Sequence, residues 1–131
     1  MMEDLVMSPQ AIKVIFLKNS DTYLIGRVTE LDEEPSILIE DCYKIIECAE
    51  YGDDPEDLKA RALSLEGNHL KISAKKVDEN TDKSWYSYEY IILEKFPKYS
   101  SQRDLFLTSD SILTILDPEH AVQALYEKIS G

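Results

Sequence analysis

The sequence predicts a mostly β protein: a small, strongly bent, five-stranded antiparallel sheet or barrel followed by a C-terminal helix. About five segments are rich in Val, Ile, Tyr and Phe, and short polar turns join the first three of them. The 131-residue chain has only 4 Gly and 5 Pro, with no low-complexity linker. Its length is typical of one domain, so we expect a single domain over residues 1–131.

The first three strands are predicted from runs of β-branched and aromatic residues, at residues 11–19, 22–31 and 36–48. A polar turn at residues 19–21 joins the first two strands, and the acidic residues before Pro35 end the second. Glycine weakens a strand, so Gly26 predicts a bulge or a place where two backbones approach closely. Short turns between consecutive strands predict an antiparallel meander.

Residues 51–83 are predicted to be an insertion, and their structure has two interpretations. One is a helix, in which Asp54 is the N-cap, Pro55 takes the first helical position, and apolar residues follow at helical spacing: Leu58, Ala62 and Leu65, with Gly67 at the end. The other is a β-hairpin of residues 62–65 and 69–74 around a turn at 66–68. The alternation of apolar residues slightly favours the hairpin. Residues 77–83 are predicted to be a solvated loop.

The last third of the chain predicts two more strands and a helix. Residues 84–96 form a strand that carries Tyr86, Tyr88 and Tyr90 on one face. Residues 105–116 form the final strand, interrupted by a polar Thr-Ser-Asp-Ser segment. Asp117-Pro118-Glu119 then begins a helix over residues 117–129 whose apolar side comprises Ala121, Val122, Leu125 and Ile129. The N-terminal residues 1–10 suggest a short helix or a loose arm.

Composition excludes several classes of function. The net charge of −12 opposes broad, sequence-blind binding of nucleic acid. The chain shows no glycine-rich phosphate loop, no nucleophile elbow and no His/Cys/Asp cluster, so we predict neither an enzyme nor a cofactor or metal site. No apolar run has the length of a membrane span, and the N-terminus lacks the pattern of a signal peptide. Cys42 and Cys48 are predicted to be unbridged thiols of a cytoplasmic protein.

Two segments resemble the motifs of the Sm and Sm-like protein family. The stretch GRVTELDEEPSILIEDCYK follows the first Sm motif without a gap, through Gly26, Val28, Leu31, Asp32, Ile37, Leu38, Ile39 and Asp41. Residues 107–115 are similar to a divergent second motif, in which Asp110 precedes alternating apolar residues. The likeness covers about residues 14–41 and 84–116. The chain departs from the family in its long insertion and its C-terminal helix, since family members carry a helix before the first strand.

The resemblance implies a five-stranded, strongly bent barrel that assembles into a ring of six or seven copies. Strand four of one copy pairs with strand five of the next in such rings. These strands correspond to residues 84–96 and 105–116, which would be hazardous open edges if they were left unpaired. The alternative is a monomer whose edges are shielded by the insertion.

The resemblance also implies a site for single-stranded RNA in the loops of the two motifs. The motif positions fall on Asp32, Pro35, Ser36, Thr108, Ser109 and Asp110. Pro35 takes the place of the stacking residue, Ser36 that of the base-binding Asn, and Thr108 that of the Arg. The scaffold positions are therefore retained, while the positions that bind RNA are mostly replaced. Three consecutive acids before Pro35 would also oppose the entry of phosphate.

Other interpretations of the same residues are open at this point. Asp32 and Asp110 would also serve to bond backbone donors in tight turns. Three lysines, Lys71, Lys75 and Lys76, form the densest basic patch, which would either meet phosphate or lie on a solvated strand face. The three tyrosines of residues 84–96 would stack bases or pack internally. Two functions follow: weak RNA binding with altered specificity, or a structural ring module that has lost the RNA site and binds a basic protein.

Overall fold

A computed structural model describes residues 10–63, 69–76 and 86–130 of the chain. It contains seven strands and two α-helices, in the order β1 (Ala11–Leu17), β2 (Tyr23–Glu30), β3 (Ile37–Gly52), α1 (Pro55–Leu63), β4 (His69–Lys76), β5 (Tyr86–Lys95), β6 (Leu105–Leu107), β7 (Ile112–Leu116) and α2 (His120–Ser130). A 3₁₀ turn, Ser109–Ser111, lies between β6 and β7. The described strand pairings are antiparallel, so the prediction of a mostly β protein with a C-terminal helix is confirmed.

The chain divides into two compact units. Unit 1 comprises Met1–Ile45 and Glu94–Gly131, and unit 2 comprises Ile46–Leu93. Unit 2 is continuous in sequence, and unit 1 is built from the two segments that flank it. The predicted boundaries of one domain with an insertion at residues 51–83 remain a prediction.

The sheet of unit 1 has the strand order β6-β3-β2-β1-β7. Its two edge strands follow one another in sequence, with β6 ending at Leu107 and β7 beginning at Ile112. Five residue steps reach at most about 18 Å, and a 3₁₀ turn shortens that reach. The edges of a flat five-stranded sheet would be about 19 Å apart. The sheet must therefore curve, although no ladder among the described residues joins β6 to β7 and closes a barrel.

The core of unit 1 confirms this curvature. Fully or nearly buried side chains from β1, β2 and β3 form one cluster: Ile15, Leu24, Val28, Ile37, Ile39 and Cys42. Partly buried residues from both edge strands pack against it, including Leu105 and Leu107 of β6 and Ile112 and Ile115 of β7. Because side chains from opposite edges contact the same cluster, this face of the sheet is concave.

Gly26 lies opposite a bulge in β3, at the close approach of two backbones that the sequence predicts. The register between β2 and β3 shifts between Ile25 and Arg27, so two residues of β3, Asp41 and Cys42, lie opposite Gly26. A Cβ atom at Gly26 would lie 2.5 Å from Ile39 Cγ1 and 2.9 Å from the Glu40 carbonyl oxygen. Only glycine allows the two strands to approach this closely.

Unit 2 has its own small core. Leu58 of α1 packs with Tyr88 and Tyr90 of β5, and Cys48 and Ile92 lie against them. The Asp54 carboxylate accepts a hydrogen bond of 3.0 Å from the Glu56 N–H, which confirms the predicted N-cap of α1. Tyr90 donates a hydrogen bond of 3.2 Å to the Glu50 carboxylate. Burial, followed by the hydrogen bond to Glu50, raises the pKa of Tyr90 to about 12.

The structure corrects three predictions about strands and edges. Residues 62–63 belong to helix α1 and not to a hairpin strand, since capping at Asp54 and burial of Leu58 outweigh the local alternation. Residues 105–116 are two strands on opposite edges of unit 1, because the 3₁₀ turn redirects the chain. The strand at residues 84–96 is not an open edge, because β5 lies between β4 and β3 in the sheet.

Some predictions fall on residues outside the described part of the chain. These are the N-terminal segment before residue 10, the helix end at Gly67 and the loop at residues 77–83. The side chains of Lys71, Lys75 and Lys76 are also outside it, although their backbone pairs with β5. Within the described residues, no helix combines the length and the apolarity needed to cross a membrane.

Candidate functional site

Two loops of unit 1 lie side by side, and we refer to them together as the loop pair. One is residues 31–36, between β2 and β3, and the other is residues 108–111, between β6 and β7. They are neighbours because Ile37 is the register partner of Leu107, so both loops leave the same end of one ladder. The first loop is closed by the Leu31 N–H, which donates a hydrogen bond of 2.7 Å to the Ser36 carbonyl oxygen.

Glu34 joins the two loops. Its carboxylate accepts hydrogen bonds from the Ser36 N–H at 2.9 Å and from the Ser109 N–H at 3.1 Å. The Ser109 hydroxyl donates a further hydrogen bond to the same carboxylate. Glu34 and Ser109 are 75 residues apart in sequence. Donors from both loops therefore converge on one carboxylate at the protein surface.

These contacts favour the ionised form of Glu34. The hydrogen bond from the Ser109 hydroxyl is the largest cause that lowers the pKa of Glu34 below its ordinary value, and the Ser109 N–H is the next. Hydrogen bonds to the charged form of a carboxylic acid favour that form. Glu34 is consequently an anion that is held in place by neutral donors.

The structure places the six predicted site residues in the loop pair but brings only some of them into contact. Ser36 and Ser109 meet through Glu34. The Thr108 carbonyl oxygen accepts hydrogen bonds from the N–H and the hydroxyl of Ser111, so Thr108 shapes the 3₁₀ turn. The side chains of Asp32, Pro35 and Asp110 are exposed at the surface.

The structure gives Glu34 the role that the sequence suggested for Asp32 and Asp110. None of the hydrogen bonds within the described ranges uses the Asp32 or Asp110 carboxylate, whereas Glu34 bonds backbone donors of both loops. Sequence reasoning passed over Glu34 because the site positions implied by the resemblance do not include it. The only signal was the run of three acids before Pro35.

The loop pair is acidic. Its sequence contains Asp32, Glu33, Glu34 and Asp110, and neither residues 31–36 nor residues 108–111 include a Lys or Arg. Like charges repel a polyanion, and the effect weakens as salt screens it. Any nucleic acid that binds here must therefore be held by hydrogen bonds and not by charge attraction.

A second polar cluster in unit 1 joins helix α2 to strands β2 and β3. Arg27 donates a hydrogen bond of 2.9 Å to the Asp41 carboxylate, and its guanidinium lies 5.4 Å from the centre of the Tyr126 ring. The Tyr126 hydroxyl donates to the Asp41 carbonyl oxygen at 2.8 Å. Asp41 has a positive φ of 51°, which a short polar residue tolerates. We refer to Arg27, Asp41 and Tyr126 as the helix anchor.

The groups around the helix anchor are arranged for packing. Tyr126 is fully buried, and burial raises its pKa to about 12. Its ring meets Tyr43 edge to face, with centroids 5.8 Å apart. Arg103 lies over the other ring, Tyr43, and donates a hydrogen bond of 2.9 Å to the Cys42 carbonyl oxygen. A buried phenol and paired guanidiniums of this kind fix a helix in position.

The described residues contain no group of three or more His, Cys, Asp or Glu side chains suited to a metal ion. Cys42 and Cys48 are free thiols, as predicted. Burial raises the pKa of the Cys42 thiol to about 12, which keeps it protonated and unreactive.

Comparison with known proteins gives a family but no function. Residues 10–131 match the model of a family of unknown function, DUF6561. The chain belongs to this family. No curated protein and no solved structure matches the chain.

Proposed function

We propose that this protein is an Sm-like module that binds single-stranded RNA, weakly and with altered base preference, at the loop pair. One observation carries the proposal: the two loops that correspond to the Sm motifs meet through Glu34 and Ser109, 75 residues apart in sequence. A site made from these two loops is what the resemblance implies. The donors that converge there, two backbone N–H groups and one hydroxyl, suit acceptor oxygens of a nucleotide.

The curvature of unit 1 supports the Sm-like part of the proposal. In the order β6-β3-β2-β1-β7, strand β7 pairs with β1, and the 3₁₀ turn joins the two edge strands β6 and β7. In the proposal, this curved sheet, which the described strand pairings do not close, takes the place of the five-stranded barrel of the family. The family's fourth strand falls on residues 84–96, whose strand β5 is a neighbour of β4 and β3 in the sheet, and its fifth strand falls on residues 105–116, whose strand β7 pairs with β1.

Weak binding follows from the side chains of the loop pair. Pro35 offers neither an aromatic ring nor a guanidinium plane, and base stacking is worth roughly 1–3 kcal/mol per base. Ser36 donates or accepts through one hydroxyl and lacks the amide that reads a base edge with two hydrogen bonds. The acidic residues of the loop pair add repulsion that salt relieves. Binding should therefore be weak and should not strengthen at low salt as it does for a basic site.

The test is fluorescence anisotropy with uridine-rich and adenine-rich single-stranded RNA at low and high salt. The proposal predicts saturable, weak binding that does not weaken as the salt concentration rises. The matched variant carries Ser36→Asn together with Thr108→Arg, which returns the family's residues to both loops, and it should bind uridine-rich RNA at least about tenfold more tightly. No saturable binding by either protein would contradict the proposal.

A second candidate function is assembly into a structural module that binds other proteins. It is favoured by exposed apolar side chains on both open edges of unit 1: Phe106 on β6 is 61% exposed, and Leu113 on β7 is 57% exposed. Open strand edges with apolar side chains pair readily with another chain. Pairing of β6 in one copy with β7 in the next would be a head-to-tail contact, which closes into a ring such as the six or seven copies that the resemblance implies.

Light scattering during size-exclusion chromatography tests this assembly. Leu113→Lys adds a charge to the β7 edge and should shift the wild-type oligomer to the monomer. Tyr51→Lys is the matched control, because Tyr51 is 60% exposed and belongs to unit 2. It should leave the oligomer unchanged. A wild-type protein that is monomeric at every concentration would exclude the assembly, as would equal effects of the two substitutions. If the wild type does assemble, the acidic surface of the assembled module would suit a basic protein partner.

A further inference from the structure

Glu34 occupies the hydrogen-bond donors that define the loop pair. The Ser36 N–H, the Ser109 N–H and the Ser109 hydroxyl all donate to this one carboxylate. These donors come from two loops and point to one place, which is the arrangement that proteins use to hold an oxyanion or a carbonyl oxygen. The oxygen atoms found there belong to the chain itself.

A ligand can displace the Glu34 carboxylate from these donors. Glu34 and Ser109 are exposed, and Ser36 is half-buried, so this contact lies at the surface where a ligand can reach it. The donors, in contrast, are fixed by the fold: the Leu31–Ser36 hydrogen bond closes one loop, and the 3₁₀ turn holds the other. The arrangement thus combines preformed donors with a flexible internal acceptor.

We propose that Glu34 is an internal ligand that closes the loop pair: its carboxylate takes the donors that would otherwise receive acceptor oxygens of single-stranded RNA. The inference rests on the proposed RNA binding and explains how it is limited. A ligand must displace Glu34 before it reaches the donors, so each binding event exchanges one set of hydrogen bonds for another and gains little. The lowered pKa of Glu34 agrees with this, because it reports that the donors favour a charged acceptor.

Neighbouring Glu33 provides the matched control. It has the same charge and the same side chain, it is exposed in the same loop, and among the described hydrogen bonds none involves its carboxylate. Glu34→Ala and Glu33→Ala therefore remove equal charge, and only the first vacates the donors. Any benefit that comes from reduced repulsion of phosphate appears in both variants.

The experiment titrates the wild type and both variants with uridine-rich RNA and, separately, with inorganic phosphate. Anisotropy measures RNA affinity, and amide chemical shifts of Ser36 and Ser109 report on the donors. Glu34→Ala should bind RNA about tenfold more tightly than Glu33→Ala, with shifts at both amides. If inorganic phosphate by itself shifts these amides, the acceptor is a phosphate oxygen. If RNA shifts these amides and inorganic phosphate does not, the acceptor is a base carbonyl oxygen.

The outcomes separate this inference from the proposed function. Equal RNA affinities of the two variants overturn the proposal that Glu34 is an internal ligand. If the wild type nevertheless binds RNA, the proposed function stands. If no protein binds RNA but phosphate shifts the amides of Glu34→Ala alone, the RNA function fails and the internal ligand stands. Absence of any binding, by any of the three proteins to either probe, overturns both.

Discussion

The loop pair and the helix anchor both hold distant segments of the chain together, but they do so with different chemistry. Each joins segments that are distant in sequence, 75 residues apart at Glu34 and Ser109 and 99 residues apart at Arg27 and Tyr126. The helix anchor is built around a fully buried ring and two carbonyl acceptors. The loop pair is built around an exposed carboxylate. Burial makes the first contact structural, whereas exposure makes the second replaceable, and a replaceable contact is where a ligand can bind.

The largest effect is expected at the helix anchor. Tyr126→Ala removes a fully buried ring and should lower the free energy of unfolding by about 3–5 kcal/mol. Tyr126→Phe keeps the ring and loses only the hydroxyl, so it should cost about 1 kcal/mol. Chemical denaturation measures both. Equal costs for the two substitutions would show that packing of the ring contributes nothing, and the comparison would fail.

Gly26 tests the close approach of β2 and β3 beside Arg27. Gly26→Ala should cost about 1–3 kcal/mol, because its Cβ would meet the Glu40 backbone oxygen at 2.9 Å as well as Ile39. Gly52→Ala is the control, since its Cβ would lie 3.2 Å from Leu58 Cδ2, so this side chain need shift by only a few tenths of an ångström. Denaturation midpoints should therefore fall clearly for the first variant and little for the second. A larger fall for Gly52→Ala than for Gly26→Ala would contradict the close approach of β2 and β3 at Gly26.

The smallest effect is expected at the loop pair and concerns a pKa. Ser109→Ala removes the hydroxyl that most lowers the pKa of Glu34, so this pKa should rise part of the way towards its ordinary value of 4.5. NMR titration of the Glu34 side chain measures it in both proteins. An unchanged pKa would show that the Ser109 hydroxyl does not bond the carboxylate in solution.

The same shift determines how the contact depends on pH. A carboxylic acid whose pKa is lower in the folded protein stabilises the fold above its unfolded pKa. The contribution of Glu34 is therefore present above pH 4.5 and is lost as the pH falls through its folded pKa. Amide hydrogen exchange at Ser109 should accelerate over that acidic range relative to exchange at Leu31, whose partner does not titrate. Parallel changes at both amides would contradict the contact.

Local patterns predicted much of the fold. The first three strands, the close approach at Gly26, the N-cap at Asp54 and the final helix all depend on residues near one another in sequence, and the structure confirms them. The interruption at residues 108–111 was also visible. Its consequence was not, because placing β6 and β7 on opposite edges depends on partners in β3 and β1. Local alternation favoured a hairpin where burial of Leu58 selects a helix.

The candidate site was only partly predictable. The residues singled out in the sequence fall in both loops, which the structure places side by side. The residue that joins the loops was missed, because Glu34 acts through donors 75 residues away and a run of acids ordinarily indicates a solvated turn. Tyr126 was missed for the same reason: its partners in the helix anchor lie on β2 and β3.

The most direct test of the central claim is an amide chemical-shift map of the wild-type protein during titration with uridine-rich single-stranded RNA. The account predicts saturable shifts concentrated in residues 31–36 and 108–111, with the largest at the Ser36 and Ser109 amides, and little change around Tyr126. Saturable shifts elsewhere, with both loops unchanged, would contradict the claim that the loop pair is the binding site.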